Sequence, residues 1–335
     1  MTTQSQSLVD DIVGYYGGFF GTWLIAIGRQ SGILEALRDH GEASPQELAE
    51  RLGYAESYVA TWCRGAYAFK LVDHSAGRFS LPAEAATVLL DSTNPSFMGG
   101  RGEFFSMLRR DFEMFPERMA DGAPYPMAER PAQVADTMQA ATLPDAPNAV
   151  ANVFPQLAGL EDALRGGGRI LDAGCMLGGG LATFAEAFPE AELVGIDAVQ
   201  RFIDGAGSRL GSRATVRRMD VREMPYEDEF DLVWCNIALS HTWGADPEVI
   251  EALKRALKPG GWLVVSDVPH PATVEDLRSP SGRMFVGVTM YVSLLGPGLL
   301  TQDELLEKLG AGGFRQVVLA DQPARTRMMV GAQKA

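Results

Sequence analysis

Short apolar runs alternate with amphipathic helical stretches through the second half of the chain. The predicted strands cover residues 169–174, 191–197, 214–219, 230–235 and 262–267, and the predicted helices between them cover 181–188, 202–210 and 247–257. This alternation with short loops is typical of an α/β fold with a doubly wound, mostly parallel sheet. Two further apolar runs, 314–319 and 327–331, predict a final antiparallel pair of strands. In such sheets, ligands bind outside the carboxyl ends of the strands.

The first part of the chain has a mainly helical pattern. Residues 8–28 carry apolar side chains on more than one face, which predicts a helix buried between subunits or between domains. The sequence Ser44-Pro45-Gln46-Glu47 has the cap, proline and glutamate of a helix start, and the helix is expected to end before Gly53. A second helix over 56–69 and a hairpin with its turn at Ala76-Gly77 complete a winged-helix layout.

A breaker-rich stretch, Leu143-Pro144-Asp145-Ala146-Pro147-Asn148, separates the two patterns. We therefore predict three parts along the chain. Residues 1–100 form a helical, winged-helix-bearing domain, residues 101–150 a helical linker and lid, and residues 151–335 the α/β domain.

Charge argues against nucleic acid and anionic lipid as partners. The 335 residues carry 29 basic and 43 acidic side chains, a net charge of −14, whereas phosphate contact needs a basic face. Residues 1–100 hold six basic and eleven acidic side chains, which disfavours DNA binding by the winged helix. An apolar share of 46% is ordinary for a globular protein.

Nothing in the sequence predicts a disulfide framework, a metal centre or a membrane segment. The three cysteines, Cys63, Cys175 and Cys235, are odd in number and widely spaced, and no cluster has metal-ligand spacing. No signal peptide and no long uncharged apolar run are visible. We expect a cytoplasmic protein.

Three features lie at the ends of consecutive predicted strands. A glycine-rich loop, Gly174-Cys175-Met176-Leu177-Gly178-Gly179-Gly180, follows Asp172 and allows close backbone approach to a ligand. Asp197 ends the next strand, where a carboxylate can accept hydrogen bonds from a ribose diol. Asp220 ends the third strand, where it can accept from an exocyclic amine while Val221 packs on a purine face.

These features, with the Lys258-Pro259-Gly260-Gly261 turn before a fifth strand, resemble the class I S-adenosylmethionine-dependent methyltransferases. The resemblance covers about residues 150–335, and the front part resembles the dimerising N-terminal domain of small-molecule O-methyltransferases. It implies S-adenosylmethionine as cofactor and a homodimer. The implied cofactor-binding residues are Asp172, Gly174, Cys175, Met176, Gly178, Asp197, Ala198, Asp220, Val221 and Asn236. A nicotinamide dinucleotide is disfavoured because the full G-x-G-x-x-G pattern is absent.

The loop departs from the family pattern at Met176, where the family carries its middle glycine. Three interpretations remain open. The flexible methionine folds aside, the glycines at 178–180 supply the missing freedom, or cofactor use is weakened or redirected.

His241-Thr242-Trp243 resembles the His-x-Trp of O-methyltransferases, which implies that His241 is a general base. The alternative is that His241 caps a helix or is solvated. His270 is a second candidate beside the substrate. The predicted substrate-binding residues, which include part of an apolar roof, are Phe105, Trp243, His270, Met290 and Tyr291.

We therefore predict methyl transfer to an apolar small molecule, with oxygen the favoured acceptor. A methyltransferase fold repurposed for cyclisation or rearrangement is the first alternative, motivated by Met176. A ligand-sensing winged-helix regulator is the second.

Overall fold

The computed structural model describes residues 3–296, 298–323 and 326–335. The chain divides into two compact units. The first comprises Met1–Arg109 with Ala140–Thr142, and the second comprises Arg110–Gln139 with Leu143–Ala335.

The first unit is a helical assembly with a two-stranded wing. Its elements are α1 Thr3–Gln30, α2 Ile33–His40, α3 Pro45–Leu52, α4 Glu56–Ala68, β1 Asp73–Ser75, β2 Arg78–Ser80, α5 Ala83–Leu90 and α6 Gly99–Met107. The start of α3 has the predicted capping box: Ser44 Oγ accepts from Glu47 N at 3.2 Å, and the Glu47 carboxylate accepts from Ser44 N at 2.7 Å. The strands β1 and β2 pair antiparallel around the predicted turn. The winged-helix layout is therefore confirmed.

The C-terminal part of α1 is held in the core of this unit, because Trp62 of α4 donates its indole N–H to Leu24 O at 3.0 Å and Ala26 is fully buried. The N-terminal part of α1 is different. Phe19 and Phe20 remain 60% and 59% exposed, and the apolar side chains before them are exposed as well. Within one chain, the all-round burial predicted for α1 is not reached, because Trp23 and Ile27 near its C-terminal end are still 37% and 43% exposed.

The second unit holds the large sheet. It contains all of α7 Arg109–Asp121 except Arg109, and all of α8 Gln133–Thr142 except its last three residues. Its other elements are α9 Asp145–Asn148, α10 Leu160–Arg165, β3 Arg169–Ala173, α11 Gly179–Ala187, β4 Glu192–Asp197, α12 Gln200–Leu210, β5 Thr215–Arg218, β6 Phe230–Asn236, α13 Pro247–Ala256, β7 Leu257–Asp267, α14 Pro280–Ser293, α15 Gln302–Ala311, β8 Gln316–Leu319 and β9 Met328–Gln333.

The seven strands lie in the order β5-β4-β3-β6-β7-β9-β8. The first five are parallel, and β9 runs antiparallel to both β7 and β8. The doubly wound sheet and the final antiparallel pair are confirmed. The chain builds outward from β3 to β5 and then returns to β6 beside β3, so the strand order reverses there. Open sheets of this kind bind ligands at that reversal.

The strand β7 begins earlier than the sequence predicts. The predicted turn at Lys258–Gly261 lies within the strand, with Gly260 at φ 81°. The backbone of Lys334, just after β9, pairs with it: Gly260 N donates to Lys334 O at 3.1 Å, and Lys334 N donates to Gly261 O at 3.0 Å. The partner that extends the strand lies far along the sequence, so the local pattern indicates only a turn.

Candidate functional site

A cleft opens at the carboxyl ends of β3, β4, β5 and β6 in the second unit. It holds about 790 Å³, its open mouth included. Its lining is mostly apolar and comprises Met127, Met138, Gly174, Met176, Ile196, Asp197, Ala198, Val199, Phe202, Met219, Asp220, Val221, Asn236, Ile237, Ala238, His241, Thr242, Trp243, Tyr291 and Leu295. A cavity of this scale, apolar with a few polar groups, suits a small organic ligand.

The loop after β3 turns sharply under this cleft. The backbone N–H groups of Gly174 and Cys175 both donate to Ile196 O of β4, at 2.9 and 3.0 Å. Gly174 has φ 84°, and a Cβ there would lie 3.2 Å from Cβ of Ala238. Position 174 therefore suits glycine both in conformation and in space.

Met176 occupies a conformation that favours glycine. Its φ is 45°, in the left-handed region, where an L side chain is strained. Its backbone N–H donates to Asp197 Oδ2 at 3.1 Å, and the residue lines the cleft. The loop thus keeps a glycine-like backbone at the position where the sequence departs from the family pattern.

Asp197 joins the loop after β3 to the end of β4. Its Oδ2 accepts from Met176 N, and its Oδ1 accepts from Val199 N at 2.9 Å. Burial raises the pKa of Asp197, although these two backbone donors act in the opposite direction. The carboxylate is therefore fixed at the cleft wall with lone pairs remaining for a ligand.

Asp172 lies deeper than the cleft wall. It is buried on β3, where desolvation, together with the charge of Asp197, raises its pKa to about 8. Asp220 is more accessible and accepts from the backbone N–H of Arg222 at 2.8 Å, beside the buried Val221.

His241 lies in the loop after β6 and is only 3% exposed. Its Nδ1 contacts Oδ1 of Asp267, the fully buried last residue of β7. The second oxygen of Asp267 accepts from both the backbone N–H and the hydroxyl of Ser240. Burial would raise the pKa of Asp267, but His241 and Ser240 hold it below its usual value. With Nδ1 turned to a carboxylate, Nε2 is the nitrogen through which the imidazole can exchange a proton with a ligand.

Asn236, the last residue of β6, also lines the cleft. Its side-chain oxygen Oδ1 is buried and accepts no hydrogen bond from any residue that the structure describes. A buried oxygen without a hydrogen-bond donor destabilises the folded protein. A ligand that donates a hydrogen bond to this oxygen would remove that penalty. An ammonium group would satisfy this oxygen.

The structure brings many of the predicted site residues to one cleft and places others elsewhere. Those that line it are Gly174, Met176, Asp197, Ala198, Asp220, Val221, Asn236, His241, Trp243 and Tyr291. Asp172, Cys175 and Gly178 lie in the strand and loop beneath it. Phe105 belongs to α6 of the first unit, His270 bonds through Nδ1 to Pro271 O at 2.9 Å, and Met290 is 38% exposed.

Several lining or supporting residues were missed. Asp267 ends a predicted strand just as Asp197 does, so the same pattern could have identified it. Met127 and Met138 line the cleft from a segment between α7 and the end of α8. No local pattern in the sequence marks that segment as part of a site.

Over the described ranges, no helix is both long and apolar enough to cross a membrane. Over the same residues, no group of three or more His, Cys, Asp or Glu side chains is arranged to hold a metal ion.

Two family descriptions match the chain. Residues 170–261, from β3 to β7, match a methyltransferase domain. Residues 21–90 match an Rv2258c-like winged HTH domain.

Methyltransferases are among the curated relatives of the chain. An uncharacterised methyltransferase of Synechocystis sp. is 33% identical over 50% of this chain and 82% of its own length. The 27-O-demethylrifamycin SV methyltransferase of Amycolatopsis mediterranei is 32% identical over 47% of this chain and 58% of its own length, so the match spans less than two thirds of that relative.

The structure of human N-acetylserotonin methyltransferase in complex with SAM aligns over 100% of this chain and 99% of its own, with a TM-score of 0.72. At 15% identity, this likeness shows the fold.

Proposed function

The chain belongs to the S-adenosylmethionine-dependent methyltransferases, and from this premise we propose that it methylates an oxygen atom of an apolar, aromatic small molecule. The observation that carries the proposal is the buried pair of His241 and Asp267 beside an apolar cleft. A base held in this way suits an acceptor that must lose a proton, as a hydroxyl does. The Amycolatopsis relative, named for an O-demethylated compound, is consistent with oxygen as acceptor.

The residues of the cleft fit the cofactor. Asp197 would accept from the ribose hydroxyls, and Asp220 from the adenine amine while Val221 packs on the base. The buried oxygen of Asn236 would accept from the methionine ammonium group. When bound, S-adenosylmethionine supplies a methyl group on a positively charged sulfur.

In the proposed mechanism, His241 Nε2 accepts the proton of the acceptor hydroxyl. Asp267, whose pKa is held low, stays ionised and stabilises the imidazolium that forms. The loop at 236–246 positions the base, since Ser240 donates to the same carboxylate. The cleft would also hold the acceptor and the base in the geometry of reaction, which lowers the entropic part of the barrier.

The lining also favours an aromatic acceptor. Four methionines line the cleft, Met127, Met138, Met176 and Met219, together with Phe202, Trp243 and Tyr291. Thioethers adapt to the shape of a ligand and make favourable contacts with aromatic rings.

The test combines calorimetry with a methyl-transfer assay. We expect the protein to bind S-adenosylmethionine and to transfer labelled methyl to members of a panel of naphthols and hydroxyquinones. His241→Ala should abolish transfer while cofactor binding persists, and His270→Ala is the matched control. Failure to bind the cofactor, methylation at nitrogen or carbon only, or full turnover in His241→Ala would each contradict the proposal.

We also propose that the protein is a homodimer joined through the N-terminal part of α1. Exposed apolar side chains at this density are unusual on a monomer and mark association surfaces. Phe19→Glu with Phe20→Glu should convert a dimer measured by light scattering into a monomer. A monomeric parent protein, or a double variant that remains dimeric, would contradict this assignment.

A further inference from the structure

Arg130 forms a buried cationic centre beside the cleft. It is 1% exposed, and its Nε donates to Oδ1 of Asp111, also 1% exposed, at 2.7 Å. The guanidinium lies between two aromatic rings, 4.7 Å from the centroid of Tyr125 and 4.8 Å from that of Tyr291. Removing an ion pair from water is costly, so a pair so fully buried calls for an explanation.

The donors of this arginine are poorly matched. Its Nη1 points to a thioether, Met127 Sδ, at 3.3 Å, and its buried Nη2 has no partner within the described residues. A thioether is a weak acceptor, and an unsatisfied buried donor carries a desolvation penalty.

A second donor converges on the same sulfur. The hydroxyl of Tyr291 contacts Met127 Sδ at 3.4 Å and Met138 Sδ at 3.3 Å. Met127, Met138 and Tyr291 all line the cleft. Arg130 is not among the lining residues, but it contacts Met127 Sδ and the ring of Tyr291. Desolvation raises the pKa of Tyr291 to about 12, so this hydroxyl stays protonated and remains a donor.

The segment that carries Met127 is held in place. Arg201 of α12 donates to the carbonyls of Met127 and Ala128, at 2.7 and 3.4 Å. The backbone is therefore fixed, while the unbranched Met127 side chain has three rotatable bonds and can move aside.

We propose that Arg130 and Tyr291 form a subsite for a second oxygen of the aromatic acceptor, a carbonyl or carboxylate oxygen that takes the place of Met127 Sδ. This deepens the proposed function and rests on it. An oxygen at the position of that sulfur accepts from Nη1–H and lies within reach of the tyrosine hydroxyl, and Nη1–H then has a strong acceptor in place of a thioether. The acceptor is thus methylated at one oxygen beside His241 and recognised at another by Arg130.

The test measures binding in the presence of S-adenosylhomocysteine, so that no turnover occurs. The probes are the naphthols, the hydroxyacetonaphthones and the hydroxynaphthoates, which share a ring system and differ in the second oxygen. We expect at least one ketone or carboxylate isomer to bind at least about tenfold tighter than its parent naphthol, the scale of a hydrogen bond to a charged donor. Comparing the affinity for the ketones with that for the carboxylates shows which of the two kinds of oxygen the subsite binds.

The variant must remove the donors without stranding a charge. Arg130→Met alone leaves Asp111 buried and unpaired, so the decisive variant is Asp111→Leu with Arg130→Met, which replaces the pair by apolar side chains. We expect this double variant to bind each ketone and carboxylate probe with a dissociation constant within about twofold of that for the corresponding naphthol, because the charged donor is gone.

The chain offers a matched control. Arg327 and Asp145 form another buried pair, 3.0 Å apart, and neither residue lines the cleft. Asp145→Leu with Arg327→Met should keep the preference. Three results would overturn the subsite. The parent protein could show no preference for a ketone or carboxylate over the naphthol, the Asp111/Arg130 variant could keep that preference, or the control variant could lose it. Normal S-adenosylhomocysteine binding in those cases separates this failure from failure of the proposed function.

Discussion

His241 Nδ1 lies against Asp267 Oδ1, and both side chains are buried. The contact joins the loop after β6 to the end of β7, two strands that are neighbours in the sheet. The backbone N–H of Val268 donates to the same oxygen at 2.9 Å, so the carboxylate cannot rotate away without losing several bonds. The imidazole is therefore held against a carboxylate before any substrate arrives, an arrangement that favours the tautomer with its proton on Nδ1.

Asp267→Asn should reduce kcat by about 100-fold or more, because the neutral amide neither fixes the tautomer nor stabilises the imidazolium. The dissociation constant of S-adenosylmethionine should stay within about twofold, since Asp267 is absent from the residues lining the cleft. Steady-state kinetics and calorimetry measure the two quantities. Ser240→Ala, which removes one donor and keeps the pair, is the control and should lose much less. Equal loss in both variants would argue for a structural role only.

Asp197→Asn should weaken cofactor binding about 100-fold, because an amide offers one acceptor oxygen where Met176 N and Val199 N now use two. Asp220→Asn is the comparison: its carboxylate is partly exposed, and we expect a loss of about tenfold. Calorimetric titration with S-adenosylhomocysteine checks both. A larger loss of affinity in Asp220→Asn than in Asp197→Asn would contradict the assignment of Asp197 to the ribose hydroxyls and of Asp220 to the adenine amine.

Much of this site was predictable because parallel strands buried on both faces leave a strong pattern. The runs that become β3, β4 and β6 have mostly apolar, buried centres, and the polar residues at or near their carboxyl ends mark one edge of the sheet. Asp197 and Asp220 were singled out by that logic alone, whereas Asn236 was named only as what the family resemblance implies. His241 required the family resemblance as well.

The rest depends on contacts between distant segments. The Asp111 and Arg130 pair joins positions 19 residues apart, and Arg201, 74 positions further along, donates to the backbone carbonyl of Met127 beside the cleft. Such outcomes follow from tertiary packing, which periodicity and spacing do not encode.

Asp172 predicts a dependence of stability on pH. Its folded pKa, about 8, lies above the ordinary value of 3.8, so the folded state binds more protons between these two values. Stability therefore falls as pH rises through that interval, and the penalty is constant above it. Asp172→Asn removes the titrating group and should melt several degrees higher than the parent protein at pH 9, with a smaller difference at pH 5.

Thermal melts of the two proteins without cofactor, at pH values from 5 to 9, measure this. Glu113→Gln on α7 is a control that leaves the buried carboxyl in place. A difference in melting temperature between Asp172→Asn and the parent that does not grow with pH would contradict a raised pKa in the folded state.

Met176 separates the effects of backbone and side chain. At φ 45°, glycine avoids the strain that any L residue carries, so Met176→Gly should be more stable than Met176→Ala by about 1 kcal/mol. Both variants remove a side chain that lines the cleft. We therefore expect both to bind S-adenosylhomocysteine severalfold tighter than the parent protein. Chemical denaturation and calorimetry distinguish the two effects. Tighter binding in the glycine variant alone would mean that backbone strain, and not the side chain, weakens binding in the parent protein. Weaker binding in both variants would mean that the methionine side chain contributes to holding the cofactor.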